Sequence, residues 1–329
     1  MSAKFTPEER FEYLKQFGSH CMAYSTLQPG MEYFDLPGVG YLAYMEFQHR
    51  LWAPGGRRVV LAEPVADDRH HGAIVEQFVA DGTPAMFLQF GETFAAVLSE
   101  LGLPVNQLGI ETELDLQTFS LRGKSGSQLR HWRNKAIREG VSVHECPVSH
   151  MVTEDVVRVS QNWLSRKGGK ELAILTRPLV LKDEPDVRCF WAERQARLIG
   201  MVIFDPMYRS GRIIGYYHNM VRLEGGSPHG TSDLVTLTAA ESFRTSGVSL
   251  VPLGLSPLCG LEQERFKSNR LTRWLLCFLF EHGSALYPFK GNHVHKSKYC
   301  GRTTKVYFSS TRGNHFLEVL VGMKALGLV

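Results

Sequence analysis

The sequence predicts an α/β (α+β) fold in which mixed, mostly antiparallel sheets are flanked by helices. In the first half, apolar runs typical of strands alternate with amphipathic segments that end at glycines. In the second half, three strand-like runs follow one another closely and are separated only by short polar turns, as in antiparallel hairpins. Such an order of elements favours helices packed against a sheet around a hydrophobic core.

The individual elements follow from the spacing of apolar residues. Helical spacing predicts helices at Phe5–Gly18, Asp67–Asp81, Glu92–Gly102, Ser127–Glu139, Thr153–Arg166, Ser232–Thr245 and Leu261–His282. Alternating or continuous apolar runs predict strands at Gly40–Phe47, Arg57–Glu63, Ala85–Phe90, Leu114–Leu121, Val187–Glu193, Leu198–Phe204, Gly211–Val221, Val248–Leu253 and Lys305–Ser309. The first helix has a clear start signal, because Thr6 precedes Pro7 and two glutamates.

The composition is that of an ordinary globular protein. The 329 residues are 43% hydrophobic and carry a formal net charge of +4, which permits a phosphate-bearing partner without requiring one. The longest strongly apolar run, Trp274–Phe280, is far shorter than the roughly 20 residues of a membrane span, and the polar N-terminus is not a secretory signal. Six widely spaced cysteines favour reduced thiols, so we expect a cytoplasmic protein.

Four parts of the sequence carry a resemblance to a known family. They are Gly109–Lys124 (GIETELDLQTFSLRGK), Leu129–Gly140 (LRHWRNKAIREG), Gly215–Arg222 with His229–Leu234 and Leu253–Leu258, and Leu286–Tyr299 (LYPFKGNHVHKSKY). In this order they resemble the catalytic domain of the aminoacyl-phosphatidylglycerol synthases, the family of the phosphatidylglycerol lysyltransferases. The resemblance implies tandem GNAT-like acyltransferase lobes, which we place at residues 1–125 and 126–329.

The resemblance also implies a reaction and its partners. The donor would be aminoacyl-tRNA, and the acceptor a hydroxyl or amine of a lipid or small molecule, attacked directly. Because an aminoacyl ester is already activated, positioning and oxyanion stabilisation suffice in principle, and we expect neither a cofactor nor a metal. Any contact with the inner membrane surface is expected to be peripheral.

Five residues are candidate catalytic groups. Arg222 could bind an oxyanion or phosphate, or form a structural salt bridge. Lys296 matches one lysine of a pair in the family. The family has an aspartate in the reactive site where this chain has Asn219, and an amide cannot act as a general base. His218 and Asp233 are nearby alternatives, unless they are a packed strand residue and a helix cap. An amine acceptor would depend less on a strong base.

Other residues are candidates for substrate binding. Glu111 and Glu113 lie in an acidic cluster that would bind the donor's α-amino group, unless it is an exposed strand edge. Tyr217 precedes the catalytic candidates, and Ser256 and Pro257 follow a strand that would form a pocket wall or simply end there. Basic residues are candidates for contact with tRNA, and those near aromatic side chains suit nucleic acid best. The candidates are Arg130, Arg133, Lys135, Lys290, Lys298 and Arg302. For Arg130, Arg133 and Lys135, a solvated helix face is the alternative.

Two other functions fit parts of the sequence. One is a GNAT enzyme that uses acyl-CoA, because the loop after Arg222 begins like a diphosphate-binding pattern before Pro228 interrupts it. The other is a non-catalytic RNA-binding protein, which would account for Asn219 in place of the acid.

Overall fold

A computed structural model describes residues 4–166, 174–261, 265–266, 270–283, 286–312 and 315–327. The strands are β1 (Glu32–Leu36), β2 (Gly40–His49), β3 (Ala53–Leu61), β4 (Val65–Ala66), β5 (Ala85–Phe90), β6 (Val105–Asp115), β7 (Val141–Glu145), β8 (Arg188–Arg194), β9 (Arg197–Arg209), β10 (Arg212–Leu223), β11 (Leu250–Pro257) and β12 (Arg302–Ser310). The α-helices are α1 (Pro7–Phe17), α2 (His71–Val79), α3 (Glu92–Glu100), α4 (Ser127–Arg138), α5 (Thr153–Arg166), α6 (Thr231–Thr245), α7 (Arg270–His282), α8 (Phe289–Ser297) and α9 (His315–Ala325). The predicted fold class is confirmed, because helices flank a large and mostly antiparallel sheet.

Local sequence accounts for the start of the first helix. At the start of α1, Thr6 Oγ1 accepts a hydrogen bond from the Glu9 amide at 3.1 Å, and Glu9 Oε2 accepts one from the Thr6 amide at 2.7 Å. The seven predicted helices are confirmed, but α7 begins only at Arg270. Residues 262–264 and 267–269 of its predicted span lie outside the described residues. The pattern missed the strands β1, β4 and β7 and the helices α8 and α9.

One predicted strand is wrong. The alternation at Leu114–Leu121 predicts a strand there, but β6 ends at Asp115. The Asp115 side chain accepts a hydrogen bond from the Gln117 amide at 3.0 Å, and its carbonyl accepts one from the Phe119 amide at 2.7 Å, which turns the chain. The strand itself is flanked by β11 and β12 and is largely buried, so its sequence lacks a clear alternation.

The strands form a single continuous sheet. Their order is β1-β2-β3-β5-β12-β6-β11-β10-β9-β8-β7, and β4 pairs with β2. The β3–β5 and β10–β11 pairs are parallel, and the other pairs are antiparallel. The late strand β12 lies between β5 and β6, so the last part of the chain returns to the half of the sheet built by the first 115 residues. The division into lobes at residue 125 stays a prediction.

Helices hold the two halves of the sheet from both sides. In the C-terminal half, α5 packs Val156 and Val159 in a cluster with Trp191, while α6 packs Phe243 against Phe204 with ring centroids 5.0 Å apart. In the other half, α2 and α3 share an aromatic cluster with β5, and α1, α7 and α9 contribute to the largest core cluster. Strands β9 and β10 therefore lie between two packed layers, which gives the site a rigid base.

A buried ion pair joins α9 to the sheet. Arg57 Nη2 of β3 lies 3.2 Å from Glu318 Oε1 of α9, and both side chains are buried. Ser310 Oγ of β12 donates a further hydrogen bond to Glu318 Oε2 at 3.0 Å. The carboxylate is thus held by two strands that are not neighbours in sequence.

We expect Glu318→Ala to lower the free energy of unfolding by about 3–5 kcal/mol, because it leaves the Arg57 guanidinium buried without its carboxylate. Chemical denaturation followed by circular dichroism measures this change. The control is Glu241→Ala, which removes a partner from the exposed Arg244–Glu241 pair and is expected to leave stability nearly unchanged. Equal effects of the two substitutions would contradict the assignment.

Candidate active site

A cavity opens where two neighbouring strands separate. The parallel strands β10 and β11 are in register at Gly215 and Leu250, and after this point residues of both strands line a cavity of about 650 Å³. This site cavity is closed on its other sides by residues of α5, α8 and β5. Separation of two central strands removes ladder hydrogen bonds, so polar backbone groups become available to side chains and ligands.

Both strands carry a bulge at the site cavity. In β10 the register with β9 shifts between His218 and Met220, which leaves Asn219 as the extra residue. In β11 the register with β6 shifts between Pro252 and Leu255. Gly254 lies in this second bulge with φ of 83°, and a Cβ atom there would lie 3.1 Å from Tyr217 Oη. Glycine is therefore required both for the backbone conformation and for the space.

Arg222 enters the site cavity from the end of β10. The residue is only 1% exposed, and its guanidinium donates a hydrogen bond to Ser160 Oγ of α5. The guanidinium carbon also lies 5.7 Å from the ring centre of Trp163, a cation–π distance. These contacts come from α5, and the alternative of a structural salt bridge stays a prediction. A held guanidinium at a cavity wall can bind an oxyanion or phosphate with two donors.

Asn219 is oriented by a buried carboxylate. Its Nδ2 donates to Asp205 Oδ2 of β9 and to Ser25 Oγ, the latter at 3.1 Å. Asp205 is fully buried and accepts hydrogen bonds from Arg177 Nε and Nη2 at 2.9 and 2.7 Å. Because both neighbours of Nδ2 accept, the amide oxygen Oδ1 must point the other way. The negative charge near Asn219 thus lies on the neighbouring strand β9, on Asp205.

Lys296 lies in α8, and its amine contacts the backbone of β11. Its Nζ donates to the Leu255 carbonyl at 2.7 Å, a group left available by the separation of the strands. Burial lowers the pKa of Lys296 from 10.5 to about 8, and the nearby Glu111 opposes that shift. Near neutral pH this amine therefore exists as both neutral and charged forms. It can donate as an ammonium or accept a proton as an amine.

Glu111 lies next to this lysine rather than at an exposed strand edge. It is buried in β6, where the Cys21 thiol donates to its two oxygens at 3.3 and 3.2 Å. Burial raises the pKa of Glu111, while His20 and Lys296 act in the opposite direction. Burial likewise raises the pKa of Cys21, so this thiol stays protonated. Binding of the donor's amino group by Glu111 stays a prediction.

His218 is a poor base in this environment. Its Nε2 lies 3.0 Å from Thr236 Oγ1 of α6, and its ring packs edge-on against Phe204. Burial, together with the positive charge of Lys296, lowers the pKa of His218 to about 3. The neutral imidazole lines the site cavity but has little affinity for a proton at neutral pH.

Asp233 is engaged in an ion pair. Its two oxygens accept hydrogen bonds from Lys298 Nζ at 2.8 Å each, and Oδ1 accepts another from Tyr299 Oη at 2.9 Å. Both Asp233 and Lys298 are nearly inaccessible to solvent. This placement fits α8 being anchored to α6, and it does not favour general base catalysis by Asp233 or phosphate binding by Lys298. Both roles stay predictions.

The remaining predicted residues are dispersed. Tyr217 and Pro257 line the site cavity, whereas Ser256 is buried with its Oγ 3.4 Å from Asn292 Oδ1. Glu113 pairs with Arg302 at 2.7 Å on the surface. Among the other basic candidates, Lys290 forms an ion pair with Glu281, and Lys135 forms one with Glu139. Arg133 donates a hydrogen bond to Asn134, and Arg130 donates one to the Leu121 carbonyl. Arg130 and Arg133 line an open groove between α4 and α6.

Sequence reasoning missed several residues at the site. Gln89 of β5 lines the site cavity with φ of 58°, a strained conformation for a non-glycine residue. Asp205 orients Asn219 from β9. Both are single polar residues inside otherwise apolar strands, and this interruption was the available signal. Ser160 and Trp163 carried no such signal, because they fit an ordinary amphipathic helix.

A second cavity adjoins the first. It is lined almost entirely by apolar side chains of β5, α7, α8, α9 and neighbouring loops, and we refer to it as the apolar cavity. The two cavities share Leu175, Leu255, Pro257 and Tyr287 as lining residues. A cavity that carries cationic side chains and a cavity with an almost wholly apolar lining thus meet at one wall.

The described residues contain neither a cluster suited to a metal ion nor a helix suited to span a membrane. Within these residues, no group of three or more His, Cys, Asp or Glu side chains is arranged to hold a metal ion. No described helix is long and apolar enough to cross a membrane.

We expect Asn219→Asp to destabilise the protein increasingly as pH rises from 5 to about 7.5, because the new carboxyl would face Asp205. The pKa of the carboxyl introduced at position 219 would be higher in the folded state than in the unfolded state. As pH rises through the unfolded-state pKa, the unfolded state loses this proton first, and the free energy of unfolding falls. Thermal unfolding at several pH values measures the effect. The double variant Asn219→Asp/Asp205→Asn restores a single carboxylate and should recover most of the loss. If Asn219→Asp is as stable as the wild type at pH 7.5, the contact between positions 219 and 205 is wrong.

Comparison with known proteins shows where the chain belongs. The family model for the C-terminal part of phosphatidylglycerol lysyltransferase matches residues 11–309. Phosphatidylglycerol lysyltransferase of Bacillus subtilis is 24% identical over 90% of this chain, and that of Staphylococcus xylosus is 22% identical over 73%. The chain spans about a third of the length of these relatives, 34% and 29%. The solved structure of L-PGS from Bacillus licheniformis has the same fold, with a TM-score of 0.79 at 19% identity and coverage of 98% of this chain and 97% of that one. The chain is therefore a member of the family defined by the C-terminal domain of phosphatidylglycerol lysyltransferase.

Proposed function

We propose that this protein transfers an aminoacyl group from aminoacyl-tRNA to a hydroxyl group of a lipid acceptor in the site cavity. The observation that carries the proposal is the convergence of Arg222, Asn219 and Lys296 on one cavity that adjoins an apolar one. A cavity with cationic and amide side chains beside an apolar cavity suits an acceptor with a polar head and an apolar tail. Membership of the lysyltransferase family supports the same reaction class.

The proposed reaction is a transesterification. The acceptor oxygen forms a bond to the carbonyl carbon of the aminoacyl ester, and the bond from that carbon to the tRNA ribose oxygen breaks. The proton of the acceptor hydroxyl passes to the neutral amine of Lys296, and the resulting ammonium returns it to the leaving ribose oxygen. Arg222 stabilises the negative charge that develops on the carbonyl oxygen, or that of a neighbouring phosphate.

Lys296 acts as the general base, a role that the amide of Asn219 cannot perform. Among the predicted catalytic residues, His218 has a pKa too low, and Asp233 is held by Lys298 and Tyr299. Lys296 remains, with a pKa lowered to about 8. A base with a pKa near the working pH balances availability against strength. Asn219 would contribute its amide oxygen as an acceptor for an N–H or O–H of a substrate.

The groove between α4 and α6 is the proposed binding surface for the tRNA. Arg130 and Arg133 lie along it, together with Arg122 and Arg244. Guanidinium groups spaced along a groove suit the phosphates of a nucleic acid backbone. The acyl-CoA alternative has less support, because the Gly225 amide of the loop after β10 donates to Asn162 Oδ1 at 2.8 Å, so a phosphate there would have to displace it.

A transfer assay tests the proposed function. We expect the protein to release the label from one species of radiolabelled aminoacyl-tRNA and to place it in a lipid extracted into organic solvent. An ester product would hydrolyse in mild alkali, whereas an alkali-stable product would indicate an amine acceptor instead. Parallel reactions with labelled acetyl-CoA test the main alternative. Consumption of acetyl-CoA without consumption of any charged tRNA would overturn the proposal.

The role of Lys296 makes a separate prediction about pH. Since only the neutral amine accepts a proton, kcat/KM should rise about tenfold per pH unit below the pKa of about 8 and level off above it. Lys296→Arg keeps the positive charge but cannot become neutral, so we expect activity to fall about 100-fold and the rising limb to disappear. Spontaneous hydrolysis of the donor is subtracted at each pH. Activity that instead declines above pH 8 would show that the ammonium form is needed.

A further inference from the structure

Helix α7 has a buried apolar face and, next to it, an exposed apolar face. The inner face packs Leu275 and Leu276 into the largest core cluster, and Leu276 lines the apolar cavity. On the exposed face, Leu271, Trp274 and Phe278 are 56%, 60% and 48% exposed. Spacings of three and four residues place these three side chains on one face, which we call the outer face of α7. Amphipathic helices of globular proteins normally carry polar residues there.

The outer face has a defined geometry. The rings of Trp274 and Phe278 are stacked with centroids 5.6 Å apart, and the ring of His282 follows Phe278 at 4.8 Å. The three rings form a row along more than two turns of the helix. Large aromatic side chains in such a row leave much apolar surface in contact with water, which marks interaction sites rather than ordinary solvated surface.

Two arginines lie at the start of the outer face. Arg270 and Arg273 are on the first turn of α7, and the acidic residue of this helix, Glu281, pairs with Lys290 Nζ of α8 at 2.6 Å. Tryptophan and phenylalanine flanked by arginine match the boundary between acyl chains and anionic headgroups.

The outer face is also close to the proposed reaction chamber. One helix, α7, separates it from the apolar cavity, and that cavity shares a wall with the site cavity. A lipid acceptor would reside in a bilayer, and a bilayer in contact with α7 would be about one helix diameter, roughly 10 Å, from the apolar cavity. This step of the inference rests on the proposed function.

We propose that the outer face of α7 docks on the surface of an anionic lipid bilayer. Trp274, Phe278 and Leu271 enter the acyl-chain boundary, and the arginines of the first turn lie at the headgroups. A second copy of the chain fits less well, because three side chains are few against the roughly 20 residues per partner of a stable interface. The contacts and exposure of α7 thus favour a lipid surface as the partner.

Vesicle co-sedimentation tests the docking surface with the full chain. We expect the wild type to pellet with vesicles of phosphatidylcholine containing about 30% phosphatidylglycerol, and much less with phosphatidylcholine alone. The double variant Trp274→Ser/Phe278→Ser should need at least about tenfold more lipid for half-maximal pelleting. The matched control is Trp52→Ser, which removes a tryptophan that is 41% exposed in the turn between β2 and β3. It should bind like the wild type.

Fluorescence quenching locates the contact. Bromine atoms on the lipid acyl chains quench tryptophans that enter the bilayer, so they should quench the fluorescence of the wild type. Trp274→Leu keeps an apolar side chain on the outer face, and we expect it to pellet normally while losing most of the quenching. Thermal unfolding of each variant confirms that the fold is retained, since these side chains are exposed.

Three results would overturn the proposal. The wild type could remain in the supernatant with anionic vesicles, or the double variant could pellet as well as the wild type. Alternatively, light scattering could show a wild-type dimer that Trp274→Ser/Phe278→Ser converts to a monomer, which would assign the outer face to a second copy.

The proposed function fails in a different experiment. A short-chain lipid dispersed in water needs no docking, so transfer to it tests the chemistry alone. If transfer occurs there but the double variant shows an unchanged rate with vesicle-embedded lipid, the docking surface is wrong and the chemistry stands. If no acceptor is modified while anionic vesicles still bind the wild type and not the double variant, the chemistry is wrong and the docking surface stands.

Discussion

The separation of β10 from β11 is the feature on which the rest of the site depends. Two central strands of a continuous sheet are in register at Gly215 and Leu250 and then line opposite parts of a cavity. The strands can separate because each keeps its other neighbour: β10 stays paired with β9, and β11 with β6. The unpaired backbone on the cavity side is then partly satisfied by side chains, as Lys296 does for the Leu255 carbonyl.

The distribution of charge follows from this arrangement. Arg222 and Lys296 line the site cavity, while the buried carboxylates Asp205 and Glu111 lie behind it and are held by Arg177 and Cys21. The acids therefore orient and tune the groups at the wall rather than projecting into the cavity. An amide at position 219 fits this design, because a carboxylate there would stand against Asp205.

The C-terminal part of the chain packs around the site cavity and the apolar cavity. Strand β12 returns to the middle of the sheet, and the buried Arg57–Glu318 pair holds α9 against it. Helix α7 packs on this assembly with its inner face and exposes aromatic side chains on its outer face. Helix α7 thus lies between the apolar cavity and the solvent.

The fold class and most of the helices could be predicted from the sequence, because helical periodicity and caps are properties of neighbouring residues. Local motifs also indicated Arg222, Asn219 and Lys296, which line the site cavity, while their catalytic roles stay predictions. The central place of β6, the return of β12 and the role of Asp205 could not be predicted, because they depend on strands far apart in the chain. Two lysines of one motif show the difference most clearly. Lys296 lies in α8 and Lys298 directly follows it, so the motif alone does not distinguish them. Contacts with distant residues do: Lys296 lines the site cavity and donates to the Leu255 carbonyl, whereas Lys298 binds Asp233.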